Sequence, residues 1–193
     1  GVGPTAVFEM RNTPAALENT FEFKGVFAES LVVRRMQISG STLYALKGSN
    51  PLRLAAYDLT TGLEMFSIAL DAYPTGSSSN FCLAEDRAYV PINNLGSNGR
   101  LAVLDLVNRN VVTYLAAGAD PFACVAVGRT LYVSNSANYT DGHPSTIRMF
   151  NLDTNALTGT IPLQSPSHMV VDQASNRLFV TSWNQKSITA IDL

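Results

Sequence analysis

The sequence predicts an all-β protein built from four tandem copies of one four-stranded antiparallel unit. Two markers that recur in step predict it, together with a chain that alternates in twos between them. The first marker is an apolar–aromatic–apolar triplet: Leu43-Tyr44-Ala45, Ala88-Tyr89-Val90, Leu131-Tyr132-Val133 and Leu178-Phe179-Val180. The second follows each triplet: Tyr57-Asp58-Leu59, Leu104-Asp105-Leu106, Phe150-Asn151-Leu152 and Ile191-Asp192-Leu193. Both return about every 45 residues in the same order, a coincidence that chance does not supply twice.

The third unit shows the elements most clearly. Phe122 to Val127, Thr130 to Ser134, Thr146 to Leu152 and Ala156 to Leu163 each alternate apolar with polar or small residues, as half-buried strands do. Gly128-Arg129, the loop from Asn138 to Pro144, Asp153-Thr154-Asn155 and Pro166 separate them. Ser39-Gly40-Ser41, Thr60-Thr61-Gly62 and Asn108-Arg109-Asn110 are the matching turns of earlier units. No segment sustains a 3.6-residue period with caps, so almost no helix is expected. The units run over residues 31–76, 77–119, 120–165 and 166–193, the last without a fourth strand, after N-terminal strands in 1–30. Four strands per repeat of this length are the mark of β-propeller blades, in a four-bladed ring or a partial propeller.

Composition narrows the setting. Apolar residues make up 46% and charged residues only 15%, which suits a secreted, periplasmic or cell-surface β protein. A net charge of -2 offers no attraction to nucleic acid or anionic membrane, and no apolar run approaches the ~20 residues of a transmembrane segment. The chain starts at Gly1 without Met or signal peptide, as a processed secreted chain would, or a trimmed one. Asn138-Tyr139-Thr140 fits the N-glycosylation pattern, which matters only in a secreting eukaryote. Cys82 and Cys124 sit in apolar strand-like runs and read as two buried thiols; a disulfide between neighbouring units is the rival.

Beyond these patterns the sequence resembles a known family. Pro166-Ser-His-Met-Val-Val-Asp, Asn176-Arg-Leu-Phe-Val-Thr-Ser and Ser187-Ile-Thr-Ala-Ile-Asp-Leu resemble the YVTN-type β-propeller repeat. So do Pro121-Phe-Ala-Cys-Val-Ala-Val, Leu131-Tyr-Val-Ser-Asn and Leu157-Thr-Gly-Thr-Ile-Pro-Leu. The match is close in the last two units and loose in the first two, which lack the leading Pro and the Asn. The resemblance implies a propeller of the YncE-like and lactonase-like superfamily, whose members have six to eight blades against four here. It implies no single function, since relatives include lactonase-like, lyase-like, electron-transfer and cell-surface proteins.

A site is expected at the upper end, where the longer loops gather over the rigid strands. Aligning the inner strands brings Arg35, Asn80 (or Phe81), Ala123 and His168 to equivalent positions at the channel mouth, with Trp183 and Asn184 beginning a loop beside them. These are the candidate ligand-binding residues. The bland reading makes Arg34 and Arg35 a solvated edge and packs Trp183 between units. No catalytic, metal or cofactor motif is present, and the carboxylates of the inner strands, Glu85 and Asp172, fall at the far ends from His168. The expected function is a non-enzymatic binding or assembly module for protein, glycan or itself. The alternative is an enzyme or enzyme subunit of lactonase or lyase type, working through Arg35 and His168. Phe21 to Lys24 is expected to close the ring against Ile188 to Ile191. Thr5 to Met10 is the rival: donated to a neighbour, it would make a homo-oligomer or filament.

Overall fold

The structure is a computed structural model that describes residues 32–48, 51–71, 78, 80–94, 98–137 and 142–193, and the backbone of 9–10 and 21–22. The described chain is all strand and turn, with no helix. Accordingly, no helix among the described residues is long and apolar enough to cross a membrane.

Four antiparallel sheets follow one another along the sequence. The first is β3 (Val33–Ser39), β4 (Thr42–Lys47), β5 (Leu52–Asp58) and β6 (Glu64–Leu70). The second is β7 (Cys82–Ala84), β8 (Arg87–Ile92), β9 (Asn98–Asp105) and β10 (Asn110–Ala119). The third is β11 (Pro121–Val127), β12 (Thr130–Asn135), β13 (Thr146–Asn151) and β14 (Leu157–Pro162). The fourth has three strands, β15 (Pro166–Asp172), β16 (Arg177–Ser182) and β17 (Ser187–Asp192). Each sheet is a meander in which neighbours in sequence are neighbours in space. Among the described residues the four sheets do not close on one another.

The aromatic markers lie on the second strands, β4, β8, β12 and β16. Each sheet sends one face forward to the next. Leu46, Leu54 and Ile68 of the first sheet meet Phe81, Val90 and Leu104 of the second. Tyr89, Leu101 and Val103 of the second meet Leu131, Val133 and Phe150 of the third. Ile147 of the third, with Val125 and Tyr132 beside it, meets Leu178 and Val180 of the fourth. The register makes Leu54, Leu101, Ile147 and Ile188 equivalent positions, each on a third strand two residues beyond the aromatic rung. The first three are fully buried, whereas Ile188 is 70% exposed because no described sheet follows the fourth.

The Asp/Asn of the second marker has a structural role. Asp58 Oδ1 accepts the amides of Thr60 and Thr61, Asp105 Oδ1 those of Val107 and Asn108, and Asn151 Oδ1 those of Asp153 and Thr154. The side chain thus satisfies backbone donors in the turn between strands three and four. Four residues later the chain turns through a left-handed residue: Gly62 (φ 72), Arg109 (φ 59) and Asn155 (φ 57). Glycine and asparagine enter that region cheaply.

Phe21–Glu22 (β2) pairs with Glu9–Met10 (β1), with Met10 opposite Phe21, and not with Ile188 to Ile191 as expected of a closing strand. Residues 23 and 24 of the expected closing strand, and the remainder of both N-terminal segments, lie outside the described residues.

Candidate functional site

The upper ends of the third and fourth sheets hold the candidate site. A β-bulge opens β11 between Pro121 and Ala123, and another opens β15 between Pro166 and Met169. A bulge breaks strict alternation and re-aims the side chain it carries. Phe122 sits at the first bulge and His168 at the second. Their rings meet edge to face, 5.0 Å between centroids at 86°. Trp183, 58% exposed at the end of β16, meets the same Phe122 ring at 5.9 Å and 73°. The three form an aromatic surface that sequence alignment divided between two residues and missed at its centre.

Hydroxyls hold the strands behind this surface. Ser134 Oγ, fully buried, accepts the Ala123 amide at 3.0 Å and donates to the Ser167 carbonyl at 2.7 Å, tying β12 to both inner strands. Ser167 Oγ lies 2.8 Å from Thr181 Oγ1, which accepts the His168 amide at 3.2 Å. The network leaves the His168 ring exposed while fixing its backbone.

Ser182 and Asn184 flank Trp183 and line a groove of about 840 Å³ between the outer parts of the two sheets. His143, Gln164, Ser165, Gln185 and Thr189 also line it. Asn184 Nδ2 donates to Ser165 Oγ at 2.9 Å, and Gln185 Nε2 to Gln164 Oε1 at 2.5 Å. The described walls mix amides and hydroxyls with His143 and the apolar Pro144, Pro162 and Leu163, and include no carboxylate, lysine or arginine.

The other predicted residues are placed differently. Asn80 is 7% exposed, and its main-chain carbonyl accepts Ser78 Oγ at 3.0 Å. Arg35 is exposed on β3. Arg34, beside it, donates from Nε to the Gly48 carbonyl at 2.8 Å. Asn138 lies outside the described residues. Cys82 and Cys124 are buried free thiols in the core between the second and third sheets. At the opposite end a pocket of about 440 Å³ is lined by Glu85, Asp86, Arg87, Asp105 and Asp153. Among the described residues no three His, Cys, Asp or Glu side chains group as metal ligands would.

No protein-family model matches the sequence, and no curated protein matches it. Solved structures do. Kuenenia stuttgartiensis hydrazine synthase is similar with a TM-score of 0.64 at 13% identity, over 91% of this chain and 57% of that one. The computationally designed Ika4 protein is similar with a TM-score of 0.65 at 11% identity, over 86% of this chain and 94% of that one. Dihydro-heme d1 dehydrogenase NirN, in complex with DHE, is similar with a TM-score of 0.64 at 14% identity, over 96% of this chain and 40% of that one.

The likeness is one of fold. Hydrazine synthase and NirN are propeller-type proteins, so the four sheets are propeller-like in arrangement. The chain spans 57% of the hydrazine synthase chain and 40% of the NirN chain.

Proposed function

We propose that the chain is a YVTN-type β-propeller, or part of one, that works outside the cytoplasm as a non-enzymatic binding module, and that its ligand is a neutral glycan. The repeat motifs support the YVTN-type reading, the neighbours support a propeller-like fold, and the low charge of the chain supports a place outside the cytoplasm. The groove supports the second. Its amides and hydroxyls offer paired donors and acceptors to sugar hydroxyls, Pro144, Pro162 and Leu163 add apolar surface, and no carboxylate, lysine or arginine among the described lining residues rewards a charged ligand. Trp183, exposed between the lining residues Ser182 and Asn184, offers an apolar ring beside the groove for a pyranose that extends from it to stack on.

Trp183 is the single tryptophan of the chain, so its fluorescence reports on this loop alone. Titration with neutral oligosaccharides should shift the emission saturably. Replacing Gln164 and Gln185 together by Ala should weaken that binding by roughly tenfold or more, the equivalent of one to two lost hydrogen bonds. Saturation by acidic or basic ligands alone would sink the glycan reading.

Self-association is the second role we propose, through the outer face of the fourth sheet. The supporting observation is Ile188, exposed where Leu54, Leu101 and Ile147 are each covered by a following sheet. A second copy offers a further β-sheet to cover it.

A further inference from the structure

Two thiols from different sheets meet in the core between the second and third sheets. Cys82 opens β7 and stands directly opposite Tyr89 on β8. Cys124 lies in the middle of β11, opposite Val133. Its sulfur donates to the Tyr89 carbonyl at 3.3 Å, so the third sheet's thiol reaches across to the rung that carries Cys82. Cys82 is buried in the same core cluster as that sulfur. The two side chains come from facing strands and point into one interface, with Tyr89, Leu101 and Val133 around them.

We propose that Cys82 and Cys124 are a disulfide site that staples β7 to β11. A disulfide requires its Cβ atoms about 3.5–4.5 Å apart and its Cα atoms within about 7 Å. The Cys124 sulfur already touches the residue of β8 that stands directly opposite Cys82, which brings the two thiols close together in one interface. The surroundings suit the product better than the reactants: the core offers few partners for two S–H groups, and a disulfide has none to satisfy. The bond would close a loop from residue 82 to 124 that contains the rest of the second sheet, and so would restrict the unfolded chain most where the structure is most packed.

The oxidant is a small-molecule disulfide such as oxidised glutathione. One cysteine thiolate attacks a glutathione sulfur, forming a mixed disulfide and expelling one glutathione thiolate. The second cysteine attacks the protein sulfur of that mixed disulfide and expels the other glutathione. The two cysteines are oxidised, one glutathione disulfide is reduced to two thiols, and the two cysteine protons end on them. Burial, and then the neighbouring Cys82, push the Cys124 thiol well above its usual range, and both thiols are shielded from solvent in the folded chain. The staple therefore forms as the chain folds or when the interface opens.

The test is an equilibrium comparison. The full chain is refolded in buffers of fixed oxidised-to-reduced glutathione ratio, quenched, and its Cys82–Cys124 peptide quantified by mass spectrometry; the same is done in concentrated urea. The fold should stabilise the cross-link by about 30- to 1,000-fold over the unfolded chain, and the oxidised chain should melt about 5–15 °C higher. The Cys82→Ser chain should yield only a mixed disulfide at Cys124. A folded chain that stays reduced at ratios where the urea-unfolded chain is cross-linked overturns the proposal, and so does an equal tendency in both.

Discussion

Asp58, Asp105 and Asn151 perform one task with different charge. Each holds a turn by accepting two amides, and only the first two can be protonated. The Asp58 carboxyl is held below its ordinary 3.8, first by the Thr61 amide; Asp105 is held below the same value, first by the Asn108 amide. A carboxyl whose folded pKa is depressed contributes stability above its unfolded value and loses it as pH falls through the folded value. The loss therefore lies below about 3.8. The Asp58→Asn, Asp105→Asn double variant copies Asn151. It should melt within a few degrees of wild type at neutral pH and show a shallower fall in Tm on acidification, measured by circular dichroism. An unchanged acid limb would assign the pH dependence elsewhere. At this scale the sequence marked these residues by their spacing but not their work, because a repeating Asp/Asn reads the same whether it caps a turn or binds a ligand. Phe122 was missed for a different reason. The alternation that places neighbours on opposite faces fails at a bulge, and the bulge between Pro121 and Ala123 leaves no compositional trace.

The strands themselves were legible, since period-2 alternation and turn residues arise from the same local physics that forms them. The inner strands were less so. Three of the four carry a register shift near the start, at Val33/Arg35, Pro121/Ala123 and Pro166/Met169. Burial also divides residues that the repeat makes equivalent. Tyr89 is 1% exposed, while Tyr44, Tyr132 and Phe179 keep part of their rings in solvent, so the aromatic marker is a full core residue in one sheet only. The position that recurs as core is on the third strand. Leu54→Ala, Leu101→Ala and Ile147→Ala should each cost about 2–5 kcal/mol in urea unfolding, the transfer and cavity terms of a fully buried aliphatic. Ile188→Ala, at the equivalent but exposed position, should change stability by about 0.5 kcal/mol or less. A cost at Ile188 equal to the other three would mean that its face is covered in solution.

Stability in a row of sheets passes between neighbours, much as in repeat proteins, so a sheet with packed neighbours on both sides opens less readily than one with a single neighbour. The second and third sheets are packed on both faces. The fourth is packed on one: Leu178 and Val180 face the third sheet, while Val170, 62% exposed, and Ile188, 70% exposed, face away. Its last strand, β17, also pairs on one side only among the described residues. Ring closure was the least legible feature in the sequence for this reason. An alternating segment such as the one around Phe21 fits any open edge, and in the structure Phe21–Glu22 pairs with Glu9–Met10. Native-state hydrogen exchange resolves the row strand by strand. In dilute solution the amides of β16 and β17 should exchange through openings of lower free energy than those of β8, β9 and β12. If a second copy covers the fourth sheet, raising the protein concentration should slow exchange in β16 and β17 and leave β8 and β9 unchanged, because mass action stabilises only the openings that expose the interface. Protection in β17 that matches β9 at every concentration would show a face already covered within one chain, and would remove self-association through this sheet.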